Sequence, residues 1–88
     1  MAVDIYQDVE SLSDDLRTVG EAQWSKKLDE AMSISGHWGE VMGAMRLQLR
    51  SLRQSDVAQR YHLQDRIDIM LEYLDDVLGP LPSAWKST

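Results

Sequence analysis

The stretch LQDRIDIMLEYLDDV, residues 63–77, sets Leu63, Ile67, Met70, Leu74 and Val77 at steps of four, three, four and three. Steps alternating in that way keep side chains on one stripe of an α-helix with about 3.6 residues per turn, so the segment must bury a seam against another helix. The same spacing occurs twice more, in Ile5, Val9, Leu12, Leu16 and Val19, and in Trp38, Met42, Met45, Leu49 and Leu52. Three such seams predict an all-α fold.

Capping chemistry sets the expected boundaries. Asp4 and Gln7 stand three apart, as in a capping box, and Gly20 suits the left-handed residue after a helix end, so the first helix is expected from Asp4 to Val19. A shorter second helix, Glu21 to Met32, carries Trp24, Leu28, Ala31 and Met32 on one side. Ser33-Ile34-Ser35-Gly36 breaks the chain, with Ser35 or Gly36 as the N-cap of a third helix that ends near Arg53. Gln54-Ser55-Asp56 is the next turn. Asp56 with Gln59 then fits a capping box opening a fourth helix, which stops at Gly79-Pro80.

Short connections between long helices favour antiparallel neighbours. The expectation is a compact antiparallel four-helix bundle made of two helical hairpins: one domain over residues 1–79, then a C-terminal tail, residues 80–88, holding Leu81 and Trp85. A tight turn at residues 54 and 55 would set Trp38 opposite Leu71, Met42 opposite Ile67 and Met45 opposite Leu63. A turn at Gly20 would set Leu16 opposite Trp24 and Leu12 opposite Leu28. Trp24 and Trp38 then read as core anchors, and Met32, Met42, Met45 and Met70 as core filling.

Eighty-eight residues give one domain near the lower size limit for an independent core, so a partner or a second copy would help stabilise it. The 43% hydrophobic content is that of a folded chain, and the absence of cysteine excludes disulfides, thiolate zinc sites and cysteine nucleophiles. The first residues lack the basic and then apolar run of a signal peptide, and no run of about 18 apolar residues exists to span a membrane. A cytoplasmic location is the default expectation, with no membrane partner.

A net charge of −6 opposes binding to a phosphate backbone, so nucleic acid is not an expected partner. The charge is uneven. Acids crowd residues 4–15 and 65–76, whereas residues 46–60 hold Arg46, Arg50, Arg53 and Arg60 against Asp56.

Chemistry-bearing patterns are sparse. His37 with Glu40, and His62 with Asp65, each set an imidazole and a carboxylate on one helical face, the minimum for a metal-ligand pair. In the expected hairpin, however, the two pairs differ in level by more than about 10 Å, so no metal site is expected. No nucleophile stands beside a base, the serines fall chiefly at caps and turns, and so small a bundle has little room for a pocket; no enzyme and no cofactor are expected. On the third helix Gly39, Gly43, Arg46, Arg50 and Arg53 share one flank. Glycine inside a helix costs about 1 kcal/mol relative to alanine, which implies that something approaches that backbone closely: either the first or second helix of the same chain, with the arginines pairing with neighbouring carboxylates, or an acidic partner whose carboxylates the arginines read. The last helix carries Ile69 and Tyr73 beyond its seam and Leu71 and Leu78 on the other side, a wider apolar arc than one neighbour requires. These flanks, Ile69 with Tyr73 and the glycine-arginine face, are the candidate protein-binding residues.

The run Leu16-Arg17-Thr18-Val19-Gly20, followed by Trp24 and Leu28, resembles the opening of small uncharacterised bacterial helical proteins. That resemblance implies no residue roles. Together the features lead to the expectation of a small acidic module that binds another protein, one of basic character, in the manner of an immunity-like or regulatory protein. The alternatives are a structural homodimer without a foreign partner, or a minor enzymatic or metal-binding role.

Overall fold

A computed structural model describes residues 4–34 and 36–79. The chain forms five helices, α1 (Ile5–Thr18), α2 (Ala22–Met32), α3 (Trp38–Arg53), α4 (Asp56–Arg60) and α5 (Gln64–Leu78), with no strand among the described residues. The expected tail, with Leu81 and Trp85, lies outside them.

Local chemistry explains most helix ends. Asp4 has extended backbone and its Oδ1 accepts from the Gln7 N–H at 3.1 Å, which satisfies one of the free amides of α1. At the other end Gly20 turns left-handed at φ 89°, and the Glu21 N–H donates back to the Leu16 carbonyl at 2.8 Å. The N-cap of α3 is neither Ser35, which lies outside the described residues, nor Gly36. His37 takes the place: its backbone is extended, and Nδ1 accepts from the Gly39 N–H at 3.3 Å.

The expected fourth helix is two. Tyr61, His62 and Leu63 interrupt it, with the Leu63 N–H donating to the Ala58 carbonyl at 2.8 Å and His62 left-handed at φ 56°. This is the hydrogen-bond pattern of a glycine-terminated helix with histidine at the glycine position. Tertiary contacts enforce the break. Val57, Ala58 and Leu63 are all buried, Arg60 pairs with Glu21 and Asp56, and the Tyr61 hydroxyl meets the Val19 carbonyl at 3.4 Å. Ser55, not Asp56, precedes α4, and no side chain caps it, so the expected Asp56–Gln59 box is not formed. Because a left-handed histidine is strained where glycine is not, His62→Gly is expected to raise stability by about 0.5 to 1 kcal/mol, measured by urea denaturation. A loss of stability would show that the imidazole, rather than the backbone, holds the turn.

Inserting α4 shifts the register of the next pair. Arg53 bonds Asp68 and Arg46 bonds Asp75, so seven residues forward on α3 correspond to seven back on α5: the two run antiparallel. Residues facing each other then sum to 121, whereas the tight-turn expectation of Met42 with Ile67 and Met45 with Leu63 sums to about 109. That displacement is about 18 Å along the axis. The Trp38–Leu71, Met42–Ile67 and Met45–Leu63 levels are therefore incorrect, because residues 54–63 form a helical turn of their own. Between α1 and α2, the Ser13 hydroxyl lies against Ser25 and Asp29.

In the packing order α1 rests on α2, α2 on α3, and α3 on α5, while α1 and α5 touch more lightly. Leu12, Leu16, Leu28, Met45, Leu49, Leu52, Ile67 and Leu74 fill the centre, all at 1% exposure or less. Seam ends depart from expectation. Trp38 is 53% exposed rather than a core anchor, since α5 stops about five residues short of its level, and Val41 replaces Met42 as the buried residue of that turn. Val19 and Val77 are likewise exposed, and Trp24 is half-buried beneath Lys27 Nζ, 4.4 Å from the ring centre.

Three polar side chains among the described residues lie inside: Ser13, Ser25 and Arg46. Ser13 donates to Asp29 Oδ1 at 2.7 Å, which leaves Ser25 Oγ, 2.8 Å away, as the donor in the serine pair. Arg46, 8% exposed, reaches Asp75 at 3.2 Å and the Gly79 carbonyl at 2.8 Å. No buried polar side-chain atom among the described residues lacks a partner. No helix among them is long and apolar enough to cross a membrane.

Candidate functional site

The outer face of α5 follows from its sequence. Ile67, Met70 and Leu74 are drawn into the core, which turns Asp65, Ile69, Glu72 and Asp76 outward at steps of four, three and four along a single stripe. Ile69 is 59% exposed, the highest value for any large hydrophobic residue among those described. Tyr73, one turn on, is half-buried and packs against the core from the side. Two shallow depressions meet at Ile69. One, on the outer face of α5 alone, is lined by Glu72, Tyr73, Asp75 and Asp76; the other, between α1 and α5, is lined by Asp8, Ser11, Arg66 and Met70.

Electrostatically the face is acidic. The α1 and α5 helices hold nine of the fifteen carboxylates of the chain and two of its nine basic side chains. Both of those cations are engaged: Arg66 with Asp15 at 2.7 Å and Ser11 at 3.2 Å, Arg17 with Asp14 and Asp29. Glu72 and Asp76 stand in no ion pair among the described residues.

The glycine-arginine flank of α3 is arranged otherwise than its composition implies. A Cβ added at Gly43 would meet no described atom within 4 Å, and one at Gly39 would meet only the His37 ring, so no neighbouring backbone approaches either glycine. Arg46 is buried and committed to the end of α5. Arg53 forks onto Asp68 at 2.8 and 3.3 Å, and this hydrogen bond, supported by Asp65, raises its pKa above the ordinary value. Arg50 is half-buried on the same flank. The structure thus separates the two candidate groups: Ile69 and Tyr73 share the acidic face, while Arg46 and Arg53 tie α3 to α5.

Sequence reasoning overlooked Ser13 and Ser25, buried mid-helix rather than at caps. Their signal was present in the spacing, since Val9, Ser13 and Leu16 fall at steps of four and three beside the seam. A serine donating to a carboxylate invites a nucleophile reading, but Ser13 is at 0% exposure and has no histidine beside it. The hydroxyl locks α1 to α2 instead.

His37 caps α3 at its start, and His62 lies in the turn beyond the far end of that helix, which is about 22 Å long. Among the described residues no group of three or more His, Asp or Glu could hold a metal ion. Stoichiometric zinc or nickel is expected to leave the melting temperature unchanged in a calorimetric scan, and a rise of many degrees would contradict that separation.

No protein family matches this sequence, and no curated protein or solved structure is detectably similar to it. Function must therefore be argued from the site.

Proposed function

We propose that this protein acts by binding another protein through the α1–α5 face, with the four long helices α1, α2, α3 and α5 serving as an antiparallel four-helix bundle that holds the face rigid. The observation that carries this reading is Ile69, a large aliphatic side chain 59% exposed on a well-packed helix and flanked by a half-buried tyrosine. Exposed apolar surface rimmed by charge is the common form of a protein contact, and aromatic side chains dominate measured interface energies. A second copy fits poorly. Two-fold symmetry would set this acidic face against itself, and like charges opposed across an interface are destabilising. The same charge favours a basic partner, whose association it would accelerate.

The test is capture of partners from the source organism on immobilised wild type and on Ile69→Ser, with sedimentation of each protein alone. The wild type is expected to retain a stoichiometric protein that Ile69→Ser loses, while both remain monomeric and melt alike. Identical capture by the two, or a wild-type dimer that Ile69→Ser dissolves, would overturn the reading.

A further inference from the structure

We infer that the element received by this face is a cationic amphipathic α-helix of about three to four turns, an inference that rests on the protein-binding reading above. The first support is shape. The depression lined by Asp8, Ser11, Arg66, Ile69 and Met70 is a trough between α1 and α5, and a second depression leads from Ile69 over the outer face of α5 to Tyr73 and Asp76. A third helix lies naturally in such a trough, its side-chain ridge between those of α1 and α5.

The second support is the order of side chains. Asp65, Ile69, Glu72 and Asp76 repeat at helical spacing, acid, apolar, acid, acid, over about 16 Å. An approaching helix with apolar residues at positions i, i+3, i+4 and i+7, and Lys or Arg beside them, would meet Ile69 and Tyr73 with its stripe and Glu72 and Asp76 with its cations. An extended strand would find no free backbone edge here, because the amides of α1 and α5 are already bonded within their helices.

The third support is charge supply. Glu72 and Asp76 have no described cationic partner, and Asp8 across the trough has none either, so a cation arriving there displaces no existing ion pair. Arg66, held by Asp15 and Ser11, closes the end of the trough nearest the α1–α2 corner.

The probe is a labelled peptide of about fourteen residues with leucine on one helical stripe and lysine elsewhere, followed by fluorescence anisotropy against the full chain. A second peptide carries glutamine in place of lysine. The lysine peptide is expected to bind, with affinity falling about tenfold between low and high salt. Ile69→Ser, and separately Glu72→Gln with Asp76→Asn, should each weaken it about tenfold, the acid pair also flattening the salt dependence. Glu10→Gln with Glu30→Gln, which removes the same charge away from the trough, should leave binding unchanged.

Equal losses from the two double variants would mean diffuse attraction and overturn the inference. Equal binding of the glutamine peptide would overturn the cationic class while leaving the protein-binding reading intact. Failure of both peptides would overturn the helical occupant, and partner capture by wild type but not Ile69→Ser would then still support the broader reading. If Trp85→Ala tightens the lysine peptide several-fold, the occupant is the chain's own segment 80–88 and the inference fails. If sedimentation shows a dimer that Ile69→Ser abolishes, the occupant is a second copy and it fails equally.

Discussion

Leu49→Ala is expected to lose about 2 to 5 kcal/mol of folding stability, the largest effect of any single truncation considered for this chain. Leu49 has no exposed surface, lies midway along α3, and sits at about the level of Glu72 on α5, where α2 and α5 converge on α3. Removing its branched side chain loses the transfer free energy of three methyl and methylene-sized groups. It also leaves a cavity that rigid neighbours such as Leu52, Ile67 and Leu74 can fill only in part. A domain of this size has about 4 to 13 kcal/mol in total, so the variant would stand close to unfolding at ordinary temperature. Leu47, two residues away and 49% exposed, is the internal control: Leu47→Ala should change stability by less than about 0.5 kcal/mol. Urea melts with a common m-value decide the matter, and equal costs at 47 and 49 would place the core on the wrong face of α3.

Those two leucines also show what was legible in the sequence. The seams of α1, α3 and α5 were readable because burial on one helical face leaves a spacing that nothing else imposes, and Asp4, Gly20 and Gly79 act through their own backbone neighbours. The break at Tyr61-His62-Leu63 was not readable. It contains neither glycine nor proline, and it is held by contacts with Val19 and Glu21, some forty residues away in sequence. Since the register of α3 on α5 depends on that break, one missed turn moved every facing pair by three turns of helix. Periodicity identifies which face is buried, but the length of the intervening chain that is itself helical sets which residues meet.

The candidate site divides along the same line. Ile69 stood out in the sequence because it fell off a seam already accounted for, and its exposure is the counterpart of the burial of Ile67 and Met70. The arginine flank misled because charge in a sequence does not show whether its partner is internal. Arg46 and Arg53 are separated by seven residues, as are Asp75 and Asp68, and only the antiparallel packing of α3 and α5 brings the two pairs together.

Arg46→Ala is accordingly expected to cost about 2 to 3 kcal/mol of stability. The guanidinium is the one buried cation among the described residues, with its side chain 10% exposed, and Nη1 donates to the Gly79 carbonyl at 2.8 Å as well as to Asp75. The carbonyl is the more consequential acceptor. Gly79 ends α5 at φ 80° and ψ 178°, a conformation open essentially to glycine, and its oxygen lies at the negative end of the helix dipole, where a cation is favoured. The Asp75 carboxylate is about half exposed and can return to water when the arginine is lost, so the ion pair itself contributes less than about 1 kcal/mol. This ordering separates the variants. Asp75→Asn should be mild and Arg46→Ala severe. Arg46→Met, which keeps the packed stem and removes the donor, should fall between them. Amide hydrogen exchange should quicken in the last turn of α5 for Arg46→Ala and Arg46→Met but not for Asp75→Asn. Were Asp75→Asn to cost as much as Arg46→Ala, the ion pair and not the carbonyl would be what fastens α5 to α3.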